Sequence, residues 1–441
     1  MAPASVHLSA DRISAIKSFE EIPSGAEVVE AGEDAFVMAG LVDSHVHVNE
    51  PGRTEWEGFA TATRAALAGG VTTIVDMPLN CIPATTTLDG LRSKLAATEG
   101  KLHADVAFWG GVVPGNTGEL SKLWQAGVVG FKCFLVHSGV DEFPNVTESD
   151  LREAMPELAR LGAMLIVHAE VPGPIDDACC LTRGGDDSGE INRSYEAFLR
   201  SRPRAAENEA VELMIRLERE SGCRIHIVHH SSSDALGMLR AARQSGAQIT
   251  VETCPHYLHF AAEDIAEGAT EFKCCPPIRE RENREQLWAA LNDGTIDMVV
   301  SDHSPCPPEM KLSGQGDFMK AWGGISSLQL RLAVMWTEAS GRGFEVNQLA
   351  EWLCDGPARQ VGLAGRKGSI AVGCDADLVI WNPNREFRVA PELIQHRHKL
   401  TPYAGEVLRG VVEKTFLRGR MVYDGGAFAS TPGGQIILRG K

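Results

Sequence analysis

His45 and His47 lie two residues apart in DSHVHVNEPGRTEWEGF, after an apolar run and before a Pro-Gly turn. Residues i and i+2 of a β-strand project from one face, so a strand ending here aims both imidazoles the same way. Other apolar runs end in similar side chains. GFKCFL carries Lys132, LIVHAE holds His168, HIVHHSS holds His229 and His230, and VVSDHSP holds Asp302. Imidazole and carboxylate together are the ligand set of zinc and related divalent ions. Taken singly, a histidine after an apolar run is more often a satisfied core residue, and Asp302 would serve as a helix cap. The metal reading gains force if all these runs end at the same place.

Lys132 is the odd member of the group. An ammonium among Phe131, Cys133, Phe134 and Leu135 is costly to bury while charged and would repel a metal ion. A neutral lysine amine can add carbon dioxide and become a carbamate, an anion able to bridge two metal ions. The plain alternative is a lysine that snorkels to solvent. Strand alternation predicts that His226 and His230 turn away from the centre that His229 faces. It also predicts that His303 points outward. His103, His256 and His259 read equally as supporting or as merely structural residues.

Eight short apolar and β-branched runs occupy residues 37 to 305: VMAGLVDSHVHV, VTTIVDMP, ADVAFWGGV, VVGFKCFL, AMLIVHAE, RIHIVHHS, QITVETCPH and DMVVSDHSP. Amphipathic stretches such as TESDLREAMPELARLG and ENEAVELMIRLERESG lie between most of them and predict helices. Eight strand–helix alternations with near-continuously apolar strands predict an α/β fold, a (β/α)8 TIM-type barrel. A doubly wound open sheet would carry a Gly-rich turn after its first strand, and none is visible. Residues 367–381 and 407–424 read as short strands with glycine turns, as do pieces of the first 36 residues. The expected organisation is a barrel over 38–366. A small β-rich, sandwich-like domain would be built from both chain termini, 1–37 plus 367–441.

A net charge of −17 argues against nucleic acid or an anionic membrane as partner, but says nothing about a small neutral substrate. No apolar run approaches the length of a membrane span. None of the eleven cysteines forms a CxxC pair, and two groupings are adjacent, Cys179-Cys180 and Cys274-Cys275. Reduced thiols in a cytoplasmic protein are the expected reading.

The motif HVHVNEPGRTEWEGF resembles the amidohydrolase superfamily, and within it the cyclic amidohydrolases: dihydroorotases, hydantoinases and allantoinases. The stretches DMPLNCIPATTT, GFKCFLVHSGV, ETCPHYL, KCCPPIRE, SDHSPCPPEMK and WGGISSLQL look like the allantoinase family in particular. Dihydroorotases carry an arginine where this chain has Asn49. The resemblance runs from about residue 11 to about 430.

It implies two divalent metal ions, Zn2+ by default. His45, His47 and Asp302 would serve the first, His168 and His229 the second, and carboxylated Lys132 would bridge them. Asp302 would also move the proton. His137 stands where hydantoinases have a tyrosine thought to stabilise the oxyanion, and Asn49, Cys275 and Ser304 are the further substrate contacts expected. Cys275 replaces a serine common in relatives. Relatives usually have another strand ahead of SVHLSADRISAI and are commonly homotetramers. The resemblance implies hydrolysis of the cyclic amide of allantoin. Another cyclic amidohydrolase, or a metal-free scaffold on the same fold, are the rivals.

Overall fold

The computed structural model describes residues 3–183, 191–312 and 314–440. Eight parallel strand segments follow one another at the predicted places: Leu41–Val46, Val71–Asp76, Asp105–Phe108 continued by Gly110–Gly111, Phe131–Phe134, Leu165–His168, Ile225–Ile227, Ile249–Thr253 and Met298–Val299. Helices separate most of them. The ring closes where the His47 amide donates to the His303 carbonyl at 2.9 Å, beside a parallel bridge between Val46 and His303. The expected barrel is therefore present.

Alternation along each strand sorts side chains into two layers. Phe131, Cys133, Leu165, Val167, Ile225, Ile227 and Val251 join the large core between strands and helices. Val42, Val75, Ala107, Trp109, Val129 and Ile166 fill the barrel interior. Lys132 pairs in register with Ile166, which pairs with His226, which pairs with Thr250. All four share the interior face.

The helices follow local signals. In Glu148–Leu161 the Thr147 hydroxyl accepts from the Asp150 amide, while the Asp150 carboxylate accepts from the Thr147 amide at 2.8 Å. Gly162, at φ 68°, ends the helix in a left-handed turn. Leu151, Ala154, Met155 and Leu158 form its buried stripe.

Both chain ends supply the small domain. Its five-stranded sheet runs Ala427–Phe428, Arg420–Asp424, Val407–Leu417, Leu378–Arg388 and Phe36–Ala39. Strand Phe36–Ala39 spans position 37, so residues on both sides of it belong to one strand. Gly40 follows, packed so close to Thr72 that a Cβ would lie 2.4 Å from its hydroxyl oxygen. Ala4–Ser9 and Arg12–Ser18 form a separate antiparallel hairpin.

The strand after residue 367 begins at Leu378; ahead of it the chain makes only an isolated bridge, Asp375 to Arg12, and carries a buried charge cluster. Lys367 Nζ lies 2.7 Å from Asp105, 2.9 Å from Asp375 and 2.6 Å from Asp377, and Arg418 also pairs with Asp105. The chain then returns to the barrel. Val106 donates to the Gln435 carbonyl at 2.9 Å and accepts from the Ile437 amide at 2.8 Å. No described helix is long and apolar enough to cross a membrane.

Candidate metal centre and substrate cavity

The six residues proposed as ligands gather at one mouth of the barrel. Nε2 of His45 lies 3.1 Å from Asp302 Oδ1, and Nε2 of His47 lies 3.5 Å from the same oxygen. Across the site, His168 Nδ1 lies 3.0 Å from His229 Nε2. The rings of His45 and His229 are 5.4 Å apart, which joins the two groups. Lys132 stands beside them, fully buried, and its Nζ has no hydrogen-bond partner.

Buried polar atoms are ordinarily paired, and leaving one unpaired is costly. Here Lys132 Nζ, His45 Nε2 and His229 Nδ1 are all buried without partners. Glu170 takes the N–H of His168 Nε2, so the Nδ1 that faces His229 Nε2 carries a lone pair available to a cation. The donor set fits divalent metal ions, and His45, His47 and Asp302 alone bring three ligand atoms within 4.8 Å of one another.

Burial lowers the pKa values of His45, His47, His168 and His229, which favours the neutral imidazoles that ligate metals. Burial also pushes Lys132 down to about 8, against the attraction of Asp302 and Glu252. A neutral amine is what carbamate formation requires. Burial would raise Asp302, but the facing imidazoles of His45 and His47 prevail and hold it below the ordinary carboxylate range.

His229 and Asp302 adopt left-handed backbone, φ 37° and 45°. Such conformations cost roughly 1–3 kcal/mol each in non-glycine residues and cluster at functional sites. They also correct one expectation. His226 does not turn away: it points into the barrel on the Lys132 layer, because the turn at His229 breaks the alternation that a continuous strand would impose. His226 Nε2 lies 3.0 Å from Glu252 and its Nδ1 2.7 Å from the Thr250 hydroxyl. His230 lies 3.6 Å from Glu207, and His303 accepts at Nδ1 from the Ser327 amide at 3.1 Å, both away from the ligand cluster.

Two carboxylates escaped the sequence reading. Glu252 accepts from His45 Nδ1 at 2.5 Å and from His226. Glu170 accepts from His168 Nε2 at 2.7 Å and takes two N–H donors from Arg202, at 3.0 and 2.6 Å. Carboxylates in this position fix the tautomer and orientation of a ligating histidine. Each was visible in a quoted stretch: Glu170 two residues after His168, Glu252 near the end of the seventh strand, in QITVETCPH.

The cluster forms the floor of a cavity of about 480 Å³. His137, Cys275 and Ser304 line its walls, joined by Arg202, Lys273 and Trp322. His137 sits at the rim with its side chain 61% exposed, and its Nδ1 accepts from the Gly139 amide at 3.1 Å. Asn49 corrects another expectation. It does not line the cavity; it is fully buried behind it, donating to the Pro305 carbonyl at 3.3 Å. The amide nitrogen of this side chain holds the neighbouring loop.

A barrel of this kind with paired histidines, a buried lysine and an aspartate at its mouth defines a metal-dependent hydrolase of the amidohydrolase class. The amidohydrolase family pattern matches residues 36–422. An allantoinase from Streptomyces avermitilis is 49% identical over 438 residues, covering 99% of this chain and 95% of that protein. An allantoinase from Saccharomyces cerevisiae is 47% identical, covering 91% and 86% respectively. In three dimensions the chain resembles the L-hydantoinase of Arthrobacter aurescens, with a TM-score of 0.92, 32% identity, and coverage of 99% and 96%. The chain belongs to the amidohydrolase family and, within it, to the allantoinases.

Proposed function

We propose that this protein hydrolyses the cyclic amide bond of allantoin to give allantoate, a step of purine and ureide degradation, using two divalent metal ions. One observation carries the reading. Six side chains from five separate strand segments end around one buried point at the floor of a single cavity, in a chain 49% identical to an allantoinase.

His45, His47 and Asp302 would hold one ion, His168 and His229 the other, and Lys132, as its carbamate, both. Zinc is the ion this ligand set suits first. Bound there, the metals supply Lewis acidity that makes water nucleophilic near neutral pH and polarises a carbonyl. Asp302 accepts the proton of the attacking water and delivers it to the leaving ring nitrogen. His45 and His47 keep its carboxylate ionised and so free to take up a proton. His137 donates from the rim to the carbonyl oxygen as charge develops on it. Cys275 and Ser304 hold the small polar ring through side-chain or backbone hydrogen bonds, which apolar walls could not do.

The same reading places the enzyme in the cytoplasm, consistent with its buried thiols at Cys81, Cys133, Cys223 and Cys254. It also makes the enzyme a homo-oligomer, a tetramer by resemblance.

A substrate panel on metal-loaded protein tests the proposal. Allantoin should show the highest kcat/KM, above dihydroorotate and unsubstituted hydantoin. Turnover of either alternative with none of allantoin overturns the substrate. Protein purified without chelator that holds no metal and turns over nothing would be a scaffold.

A further inference from the structure

Residues 320–324 form part of the cavity wall, and the carbonyls of Met319, Ala321, Trp322 and Gly324 are held by two lysines. Lys311 is buried, and its Nζ donates to the carbonyls of Lys273 at 2.5 Å, Trp322 at 2.8 Å and Gly324 at 2.6 Å. Lys273 Nζ donates to the carbonyls of Ala321 at 2.6 Å and Met319 at 3.2 Å. Among the described residues, no carboxylate pairs with either ammonium.

An ammonium has three donors, and Lys311 spends all three on main-chain oxygens. Those oxygens come from two strips, one before Cys274-Cys275 and one running through Trp322–Gly324. With Lys311 itself, the knot joins KCCPPIRE, SDHSPCPPEMK and WGGISSLQL, three of the stretches singled out in the sequence. The amides of the second strip are also occupied. Ala321 donates to Asp317, Trp322 to Met310 and Gly324 to Lys273. Between 321 and 324, Gly323 alone keeps both its N–H and its C=O without a protein hydrogen bond among the described residues. It lines the cavity against Cys275, where an added Cβ would lie 3.1 Å from the sulfur.

We propose that Lys311 is a positioning residue for substrate: its ammonium sets the spacing between the Cys275 strip and the Trp322–Gly324 strip and presents the main-chain N–H and C=O of Gly323 to the ring. The inference rests on the cyclic-amide reading above. A ring that carries adjacent N–H and C=O groups matches a residue whose main-chain N–H and C=O, from its two flanking peptide groups, offer a donor and an acceptor. Lys311 reaches the ring only through this wall, so its loss should disturb binding before chemistry.

Lys311→Met, nearly isosteric but without donors, and Lys311→Gln, which retains two, test this in metal-loaded protein. For Lys311→Met we expect wild-type metal content, kcat within about threefold, and KM for allantoin raised at least tenfold. Lys311→Gln should fall between it and wild type. A folded, metal-loaded Lys311→Met with unchanged KM overturns the proposal, as does a loss confined to kcat. If Lys311→Met does not fold, Lys311→Gln decides alone, and a wild-type KM there overturns it. A wild type that opens no cyclic amide defeats the functional reading instead, which separates the two failures.

Discussion

His45 and Glu252 lie 207 residues apart in the chain, yet their side chains meet at 2.5 Å inside the barrel. Nδ1 of His45 is bound there, which leaves Nε2 turned toward Asp302. Glu252 also accepts from His226, which is fastened to Thr250. The orientation of one metal-facing nitrogen is thus set by a chain of contacts running into the barrel interior.

Removing that support should weaken metal binding. Glu252→Gln retains the shape but loses the charge, and partners of this kind typically contribute 10–100-fold in metal affinity. We expect a loss of about that size, measured by metal content after graded chelator dialysis. Metal retention equal to wild type would contradict the role.

Lys132 can be tested by its chemistry. Lys132→Ala should lower kcat by about three orders of magnitude or more, in line with the loss of an assembled site. Added short carboxylates should restore part of the activity, because they can occupy the place of the carbamate. Undiminished activity without any added carboxylate would defeat the bridging role. In wild type, chelation should abolish activity, and full recovery should need two equivalents of Zn2+ per chain.

His137 offers a sharper choice. If it donates to the developing oxyanion, His137→Ala should lower kcat by about 10²-fold and change KM little. Steady-state kinetics that leave kcat untouched would make it a solvated rim histidine.

The Lys367 cluster governs stability rather than catalysis. Lys367→Met would take the paired cation from Asp377 and leave Asp105 and Asp375 with their arginines alone, and breaking a buried pair this way costs about 3–5 kcal/mol. The aspartates raise the Lys367 pKa above its ordinary 10.5 in spite of burial, the largest single influence. A raised folded-state pKa means that the stabilisation is fully present below pH 10.5 and is lost as pH climbs through the folded value. Denaturant unfolding from pH 7 to 11 should show wild type losing its advantage over the variant only at the alkaline end.

Much of this was legible in the sequence. The barrel strands announced themselves as β-branched runs, and Gly162 marked a helix end because few other residues accept a left-handed turn cheaply. The gathering of His45, His47, Lys132, His168, His229 and Asp302 followed from strand ends sharing one mouth. What escaped depended on departures from regular geometry or on distant partners. The alternation that should have turned His226 outward assumed a straight strand through His229. Asn49 lay beside the metal-facing histidines in sequence, yet its amide was claimed by Pro305, 256 residues away. No local pattern could show that Lys367 would reach Asp105, or that the Gln435 carbonyl would accept from Val106.

That last contact bears on how the molecule comes into being. The third barrel strand hydrogen-bonds to residues 435–437, and strand Phe36–Ala39 pairs with strand Leu378–Arg388. During synthesis strand Phe36–Ala39 and one edge of the third barrel strand therefore precede their partners by several hundred residues. Shortening the final ten residues should expose a half-finished barrel to aggregation during biogenesis, well before any effect on turnover could be measured.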